Sequence, residues 1–326
     1  MANSTPLHVV TGKGGTGKTT VAAALALALA GEGRNVLLCE VEGRQGISQL
    51  FDVPPLPYEE RRIATSDSGG HVYALAVDAE AALLEYLQMY YRLGRAGRAL
   101  DRFGVIDFAT TIAPGVRDVL LTGKIYEAAR RRKGDKSSPF VYDAIVLDAP
   151  PTGRITRFLG VNDDVAGLAK MGPIKTQSES IMTMMRGPQT AVHLVTVLEE
   201  MPVQETLDGI AELTSEQIPV GHVVVNLVRP NLLSESTVAA LQSKKLTAAA
   251  VGPVLDQVGL PATAAEMLVA DGFGHIARQD LQDEQLQIIA GCGQPKVELP
   301  LLSENIDIGA LQELATLLAP LVGDIK

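Results

Sequence analysis

The apolar run Leu7–Val10 breaks at Thr11 into Thr-Gly-Lys-Gly-Gly-Thr-Gly-Lys-Thr-Thr and resumes at Val21 as an alanine- and leucine-rich helical pattern. No other stretch of the chain restricts its fold as strongly. Gly12, Gly17, Lys18 and Thr19 satisfy the G-x-x-x-x-G-K-[ST] pattern, and the flanks supply the strand before and the helix after that a phosphate-binding loop needs. Glycine at Gly12, Gly14, Gly15 and Gly17 lets successive backbone N–H groups turn inward around phosphate oxygens. The helix that begins near Gly17 aims its positive end at the same anion. In this arrangement Lys18 bridges the β- and γ-phosphates and the Thr19 hydroxyl coordinates Mg²⁺, with Thr16 and Thr20 in the same nucleotide-binding set.

Such a loop belongs to a parallel sheet flanked by helices, and the rest of the chain supplies one. Leu7–Thr11, Val36–Val41, Val72–Val77, Ala144–Asp148, Val192–Leu198, His222–Asn226 and Lys296–Leu299 read as strands, several apolar throughout as in a sheet covered on both faces. The expected fold is α/β, a doubly wound and mostly parallel sheet forming one domain over residues 1–326. Two stretches exceed a simple crossover, about 80–133 and 163–187, and are read as a helical subdomain inserted on the nucleotide face. A further helical stretch runs from Ser234 to Ile289. Neither an internal repeat nor a second phosphate loop occurs, so the chain is not a fused double ATPase.

The second motif is the apolar strand Ala144–Asp148 followed by Ala-Pro-Pro-Thr-Gly153. Its terminal aspartate reaches the carboxyl edge of the sheet, where nucleotides bind. Asp148 is therefore the Mg²⁺-side carboxylate, acting through water because Mg²⁺ retains several of its waters. Gly153 presents its N–H to a γ-phosphate and releases it when that phosphate leaves, which makes the loop a switch.

A net charge of −10 argues against a nucleic-acid surface, since affinity for phosphate backbones comes from clustered Lys and Arg. The two cysteines, Cys39 and Cys292, stand far apart and imply neither a disulfide framework nor a sulfur-ligated metal. The first residues carry no charged segment, and the longest uncharged apolar stretch, Val21–Ala30, is too short to span a bilayer. A cytoplasmic protein is expected.

Lys13 lies outside the ordinary phosphate-loop requirement. Lys-Gly-Gly-Thr-Gly-Lys-Thr at 13–19 resembles the deviant phosphate loop of the class that holds the ParA/MinD partition proteins, nitrogenase iron protein, and the arsenite-pump and tail-anchored-protein-targeting ATPases. The resemblance implies that Lys13 reaches across a dimer interface to the partner's ATP. Asp148 to Leu159 resembles the switch II stretch of the arsenite-pump and tail-anchored-targeting branch. Pro114-Gly115, the Leu198–Thr206 segment ending in Glu-Thr, Val223–Asn226 and Val297–Leu302 resemble further segments of that family. These imply that Asn226 contacts adenine and that the loop carrying Pro300 and Leu301 packs over the base. The implied protein is a single-domain ATPase of the kind found in actinobacteria. It binds MgATP and releases ADP as a homodimer, or as a heterodimer with a paralogue, and handles a hydrophobic or membrane-protein client.

The departures matter as well. Where the family's switch I carries the aspartate that positions the attacking water, this chain has Glu42, with Glu40 a competitor for the role. The longer side chain shifts the carboxylate, and displacements of that size cost on the order of a hundredfold in rate, so slow hydrolysis is expected. The zinc-binding C-x-x-C pair of the eukaryotic targeting factor and the three metalloid cysteines of the arsenite pump have no counterparts. Met171, Met182, Met184 and Met185 fall in one helical stretch and read either as a groove for an apolar helix or as core. A positioning ATPase of ParA/MinD type, or a hydrolysis-poor subunit paired with an active paralogue, are the alternative readings.

Overall fold

The computed structural model describes residues 4–91, 115–135, 137–168, 173–302 and 305–323. Its strands are β1 (Leu7–Gly12), β2 (Asn35–Glu40), β3 (Arg61–Thr65), β4 (His71–Ala76), β5 (Ala144–Asp148), β6 (Thr190–Thr196), β7 (Val220–Val228) and β8 (Lys296–Pro300). The helices that position the site are α1 (Lys18–Gly31), α2 (Gly46–Leu50), α3 (Ala79–Tyr91), α4 (Val116–Arg130), α5 (Thr152–Leu168), α6 (Pro173–Met185) and α7 (Glu200–Ser215). Toward the C-terminus follow α8 (Glu235–Gln242), α9 (Ala248–Gln257), α10 (Ala265–Ala290), α11 (Ile308–Leu317) and α12 (Ala319–Val322).

The strands form one sheet in the order β3-β4-β2-β5-β1-β6-β7-β8, with every pairing parallel except β3 against β4. β1 leads to β2 on one side, while β5 crosses β1 to reach β6 on the other. Connections that leave in opposite directions open a crevice at the carboxyl end of the central strands, where the phosphate loop stands. The doubly wound sheet matches the sequence expectation. β3 does not appear in that expectation. Arg61 and Arg62 interrupt any apolar pattern, and as an antiparallel edge strand β3 leaves those side chains exposed.

Alternate residues of each strand feed opposite faces. Val36, Leu38, Val146 and Val224 pack with α1, α11 and α12. Leu37, Cys39, Leu147 and Val225 pack with α4, α5, α6 and α7. The alanines and leucines of α1 are strong helix formers, and their small or flexible side chains let the helix lie buried between the sheet and α11. Leu311, Leu314, Leu318 and Leu321 seat the C-terminal helices on this face, with Pro320 opening the short α12. Met182, Met184 and Met185 are buried, so these methionines fill the core rather than line an open groove. Met171, Pro114 and, of the two stretches expected to form the helical subdomain, residues 92–114 and 169–172 lie outside the described residues. Among the described residues, no helix is long and apolar enough to cross a membrane.

Inside the sheet, His8, His193 and His222 form a polar chain. The His222 backbone N–H donates to His193 Nδ1 at 3.1 Å, and His193 Nε2 stands 3.1 Å from His8 Nδ1. A neutral His193 therefore carries its proton on Nε2 and donates it to His8. His8 then holds its own proton on Nε2, which is buried without a hydrogen-bond partner among the described residues. Burial, assisted by the charge of Arg34, holds His8 down to about 4, and burial drives His193 well below the usual imidazole value.

Candidate nucleotide site

Close approach of backbone to backbone explains the first glycine of the loop. A Cβ at Gly12 would stand 2.2 Å from the carbonyl oxygen of Val195 on the neighbouring β6. At Gly17 the backbone is left-handed (φ +89°), and a Cβ would stand 2.3 Å from Asn226 Nδ2. Gly14 and Gly15 are exposed at the loop's crest. The loop is braced through the Lys13 carbonyl, which accepts hydrogen bonds from Thr16 N–H at 3.3 Å, Thr16 Oγ1 at 2.9 Å and Lys18 Nζ at 3.5 Å. Lys18 is only 8% exposed. Burial lowers its affinity for a proton, and the carboxylates of Asp148 and Glu42 work against that loss. A buried ammonium with one long hydrogen bond is prepared for a phosphate.

Asp148 closes β5 opposite Val10 of β1 and Glu40 of β2. Its Oδ2 accepts a hydrogen bond from Thr19 Oγ1 at 2.7 Å, which joins the second strand motif to the first turn of α1. The carboxyl is pushed up to about 6, chiefly by burial, with Thr19 and Lys18 opposing the shift and Glu40 and Glu42 adding to it. Thr19 and Asp148 offer hard oxygen donors side by side beneath the loop, a set that fits Mg²⁺. Thr20 follows in the same turn of α1 and is half-buried.

Glu42 leaves β2 toward Lys18, close enough that its charge bears on that ammonium. Its Oε2 lies 3.5 Å from Arg44 Nη2. Gln45 anchors this loop by bonding both the N–H and the carbonyl of Leu56. The switch II segment is held to β1 by Thr11 Oγ1, which donates to the Pro150 carbonyl at 2.6 Å. Gly153 sits exposed in the first turn of α5, where backbone N–H groups have no partner within the helix.

Lys13 points to Glu205 of α7, with Nζ 2.7 Å from Oε1. The other oxygen of Glu205 accepts a hydrogen bond from Thr152 Oγ1 at 3.3 Å, so one carboxylate links the phosphate loop to the start of α5. Sequence reasoning placed Glu205 in the Glu-Thr segment without giving it a role. A carboxylate next to a threonine on a helix carries no signal of a partner so far away in the chain.

Asn226 lies near the end of β7, and its Nδ2 donates to the Thr16 carbonyl at 2.9 Å. The pairing of β7 with β8 shifts register between Val225 and Val228, and Leu227 takes a left-handed φ of 58°. This bulge leaves Leu227 exposed and Asn226 buried against the loop. Pro300 ends β8 opposite Val228, and Leu301 N–H donates to the Val228 carbonyl at 2.8 Å. All of these predicted positions therefore stand at or beside the carboxyl edge of the sheet.

A phosphate loop whose threonine meets a strand-end aspartate, set in a parallel sheet at its switch point, defines a P-loop NTPase fold. The model of the anion-transporting ATPase family matches residues 6–189, and the chain belongs to that family. It is 53% identical over 315 residues to ATPase BagA of Mycobacterium tuberculosis, an alignment covering 96% of this chain and 92% of that protein. It is 25% identical over 282 residues to an arsenical pump-driving ATPase of Escherichia coli, covering 80% of this chain and 46% of that one. It is 26% identical over 212 residues to ATPase get3 of Botryotinia fuckeliana, covering 64% and 56%.

Proposed function

We propose that the protein is a MgATP-driven dimeric switch. The observation that carries this reading is the convergence of Lys18, Thr19 and Asp148 beneath the loop, with Thr19 hydrogen-bonded to Asp148 at 2.7 Å. Backbone N–H groups of Gly14, Gly15 and Gly17 surround the phosphates, and Lys18 meets the β- and γ-phosphates. Thr19 and Asp148 hold Mg²⁺, which when bound neutralises charge on the phosphates. Asn226 contacts the adenine and the loop carrying Pro300 and Leu301 packs over it, a role supported by the place of Asn226 beside the phosphate loop and of Pro300 and Leu301 beside the end of β7.

Glu42 orients the attacking water. Gly153 senses the γ-phosphate at the N-terminus of α5. Lys13 acts in trans on charge that develops as the phosphate leaves. For that role Lys13 must exchange Glu205 for a partner's nucleotide, so dimer closure breaks the ion pair that ties the phosphate loop to α7. Closure by ATP then reshapes the helices on the α4–α7 face, and hydrolysis reverses it. The partner is a second copy or a paralogue. The client is a hydrophobic or membrane-protein segment handled in the cytoplasm.

The ion pair of Glu42 with Arg44 favours slow turnover, since the carboxylate must leave Arg44 to orient water. ATP binding by equilibrium dialysis with Lys18→Ala tests the reading. Loss of binding is expected, because a buried phosphate partner is removed. Retained affinity would remove the phosphate-loop assignment.

A further inference from the structure

β2 ends on a carboxylate that the assigned machinery leaves without work. Glu40 is 2% exposed and stands opposite Asp148 in the register of the two neighbouring strands. Its Oε1 accepts a hydrogen bond from Gly46 N–H at 3.3 Å. Its Oε2 is buried with no hydrogen-bond partner among the described residues. A buried acceptor left unmet costs about 1–3 kcal/mol, more when charged, and in folded proteins such a group is met by an ordered water or an ion.

The surroundings say which of these it is. Gly46, held by Glu40, opens α2 directly against the metal-side threonine: a Cβ at position 46 would stand 3.1 Å from Thr19 Cγ2. Glu40, Asp148 and Thr19 therefore surround one spot, reached from two strand ends and the first turn of α1. Two carboxylates on adjacent strands repel each other in a medium that screens poorly. A hydrated divalent cation between them removes that repulsion and supplies water protons to the unmet oxygen.

We propose that Glu40 is a second carboxylate of the metal site, its Oε2 holding a water of the Mg²⁺ that Thr19 and Asp148 bind. The inference rests on the MgATP reading. Glu40 acts through water and is a positioning residue, and the division of labour leaves Glu42 to orient the attacking water. A structural role confined to the Gly46 bond would need only an acceptor at Oε1, and the two roles separate in Glu40→Gln, which keeps the acceptor and removes the charge.

The test uses Mn²⁺ as the probe, titrated into the ADP-bound protein and read by electron paramagnetic resonance. In Glu40→Gln the Mn²⁺ dissociation constant should rise at least tenfold, the low end for loss of an outer partner of a metal site. ADP affinity in EDTA and the metal-free melting temperature should not fall. Glu40→Asp keeps the charge and should retain more Mn²⁺ affinity than Glu40→Gln, which preserves the test should the glutamine variant fold poorly. Wild-type Mn²⁺ affinity in Glu40→Gln, or a Glu40→Asp variant no better than Glu40→Gln, would overturn the proposal. If the unaltered protein binds ADP but takes up no Mn²⁺, the metal reading falls and this one with it; if it binds no ADP, the nucleotide reading itself fails.

Discussion

Replacing Asp148 by asparagine should stabilise the metal-free protein while removing its response to Mg²⁺. The carboxyl is 8% exposed and is held up to about 6 from an ordinary 3.8, mainly because burial penalises its charge. The folded state therefore holds the proton more tightly than the unfolded chain, and stability from this group falls as pH rises from about 4 to 6. At neutral pH the ionised group costs about 3 kcal/mol, since each pK unit corresponds to about 1.4 kcal/mol. Asparagine keeps an oxygen for the Thr19 hydroxyl and carries no charge.

Urea unfolding in EDTA should then show Asp148→Asn more stable than wild type by about 1–3 kcal/mol at pH 7.5. The difference should shrink by about two thirds at pH 4.5, where the wild-type carboxyl is protonated in the folded state. Comparing the two variants cancels the titration of the histidines. With ADP and Mg²⁺ present the order should reverse, because ligand stabilises only the form that binds it. An asparagine variant that is no more stable at pH 7.5, or a difference that does not change with pH, would refute the reasoning.

The remaining predictions concern the loop lysine and the buried histidines. Lys13→Ala should leave ATP binding within about twofold while lowering phosphate release at least tenfold, the scale of losing one charge partner in the transition state; unchanged turnover would sink the trans role. His8 is held to about 4 against an unfolded value near 6.5, so its contribution to stability is complete above pH 6.5 and is lost as pH falls toward 4. About 2 kcal/mol of the loss at pH 5 should vanish in His8→Asn, which still offers an acceptor to His193; urea unfolding at pH 7.5 and 5 reads it, and an unaltered acid loss would contradict the buried neutral assignment.

The sheet and its switch point were legible because the phosphate loop and the strand ending at Asp148 each need a parallel strand with its carboxyl end at the site. β3 was not, because an edge strand owes its pairing to one neighbour and its outward residues, Arg61 and Arg62, follow solvent rather than a core. Lys18 and Thr19 were legible through the spacing of the phosphate loop, and Asp148 through its place at the end of an apolar strand and the resemblance of the stretch after it. The second Glu205 bond to Thr152 and the turning of Asn226 by the bulge at Leu227 were not, because both depend on contacts between elements remote in the chain. In one dimension the methionines read as core or as a groove, since the same helical spacing serves both. Packing of Met184 and Met185 in one core cluster with residues of α4 and α5 selects core for those two, and Met182 is buried as well.

The most direct measurement is the protein's mass by light scattering, first with MgADP and then with Mg²⁺ and a non-hydrolysable ATP analogue, alone and mixed with a paralogous subunit, with phosphate release recorded on the same samples. A mass that doubles with the ATP analogue, whether by self-pairing or by pairing with the paralogue, and a dimer that releases phosphate are the expected results. A protein that stays monomeric with the ATP analogue in every mixture would contradict the dimeric switch and leave a nucleotide-binding fold without one.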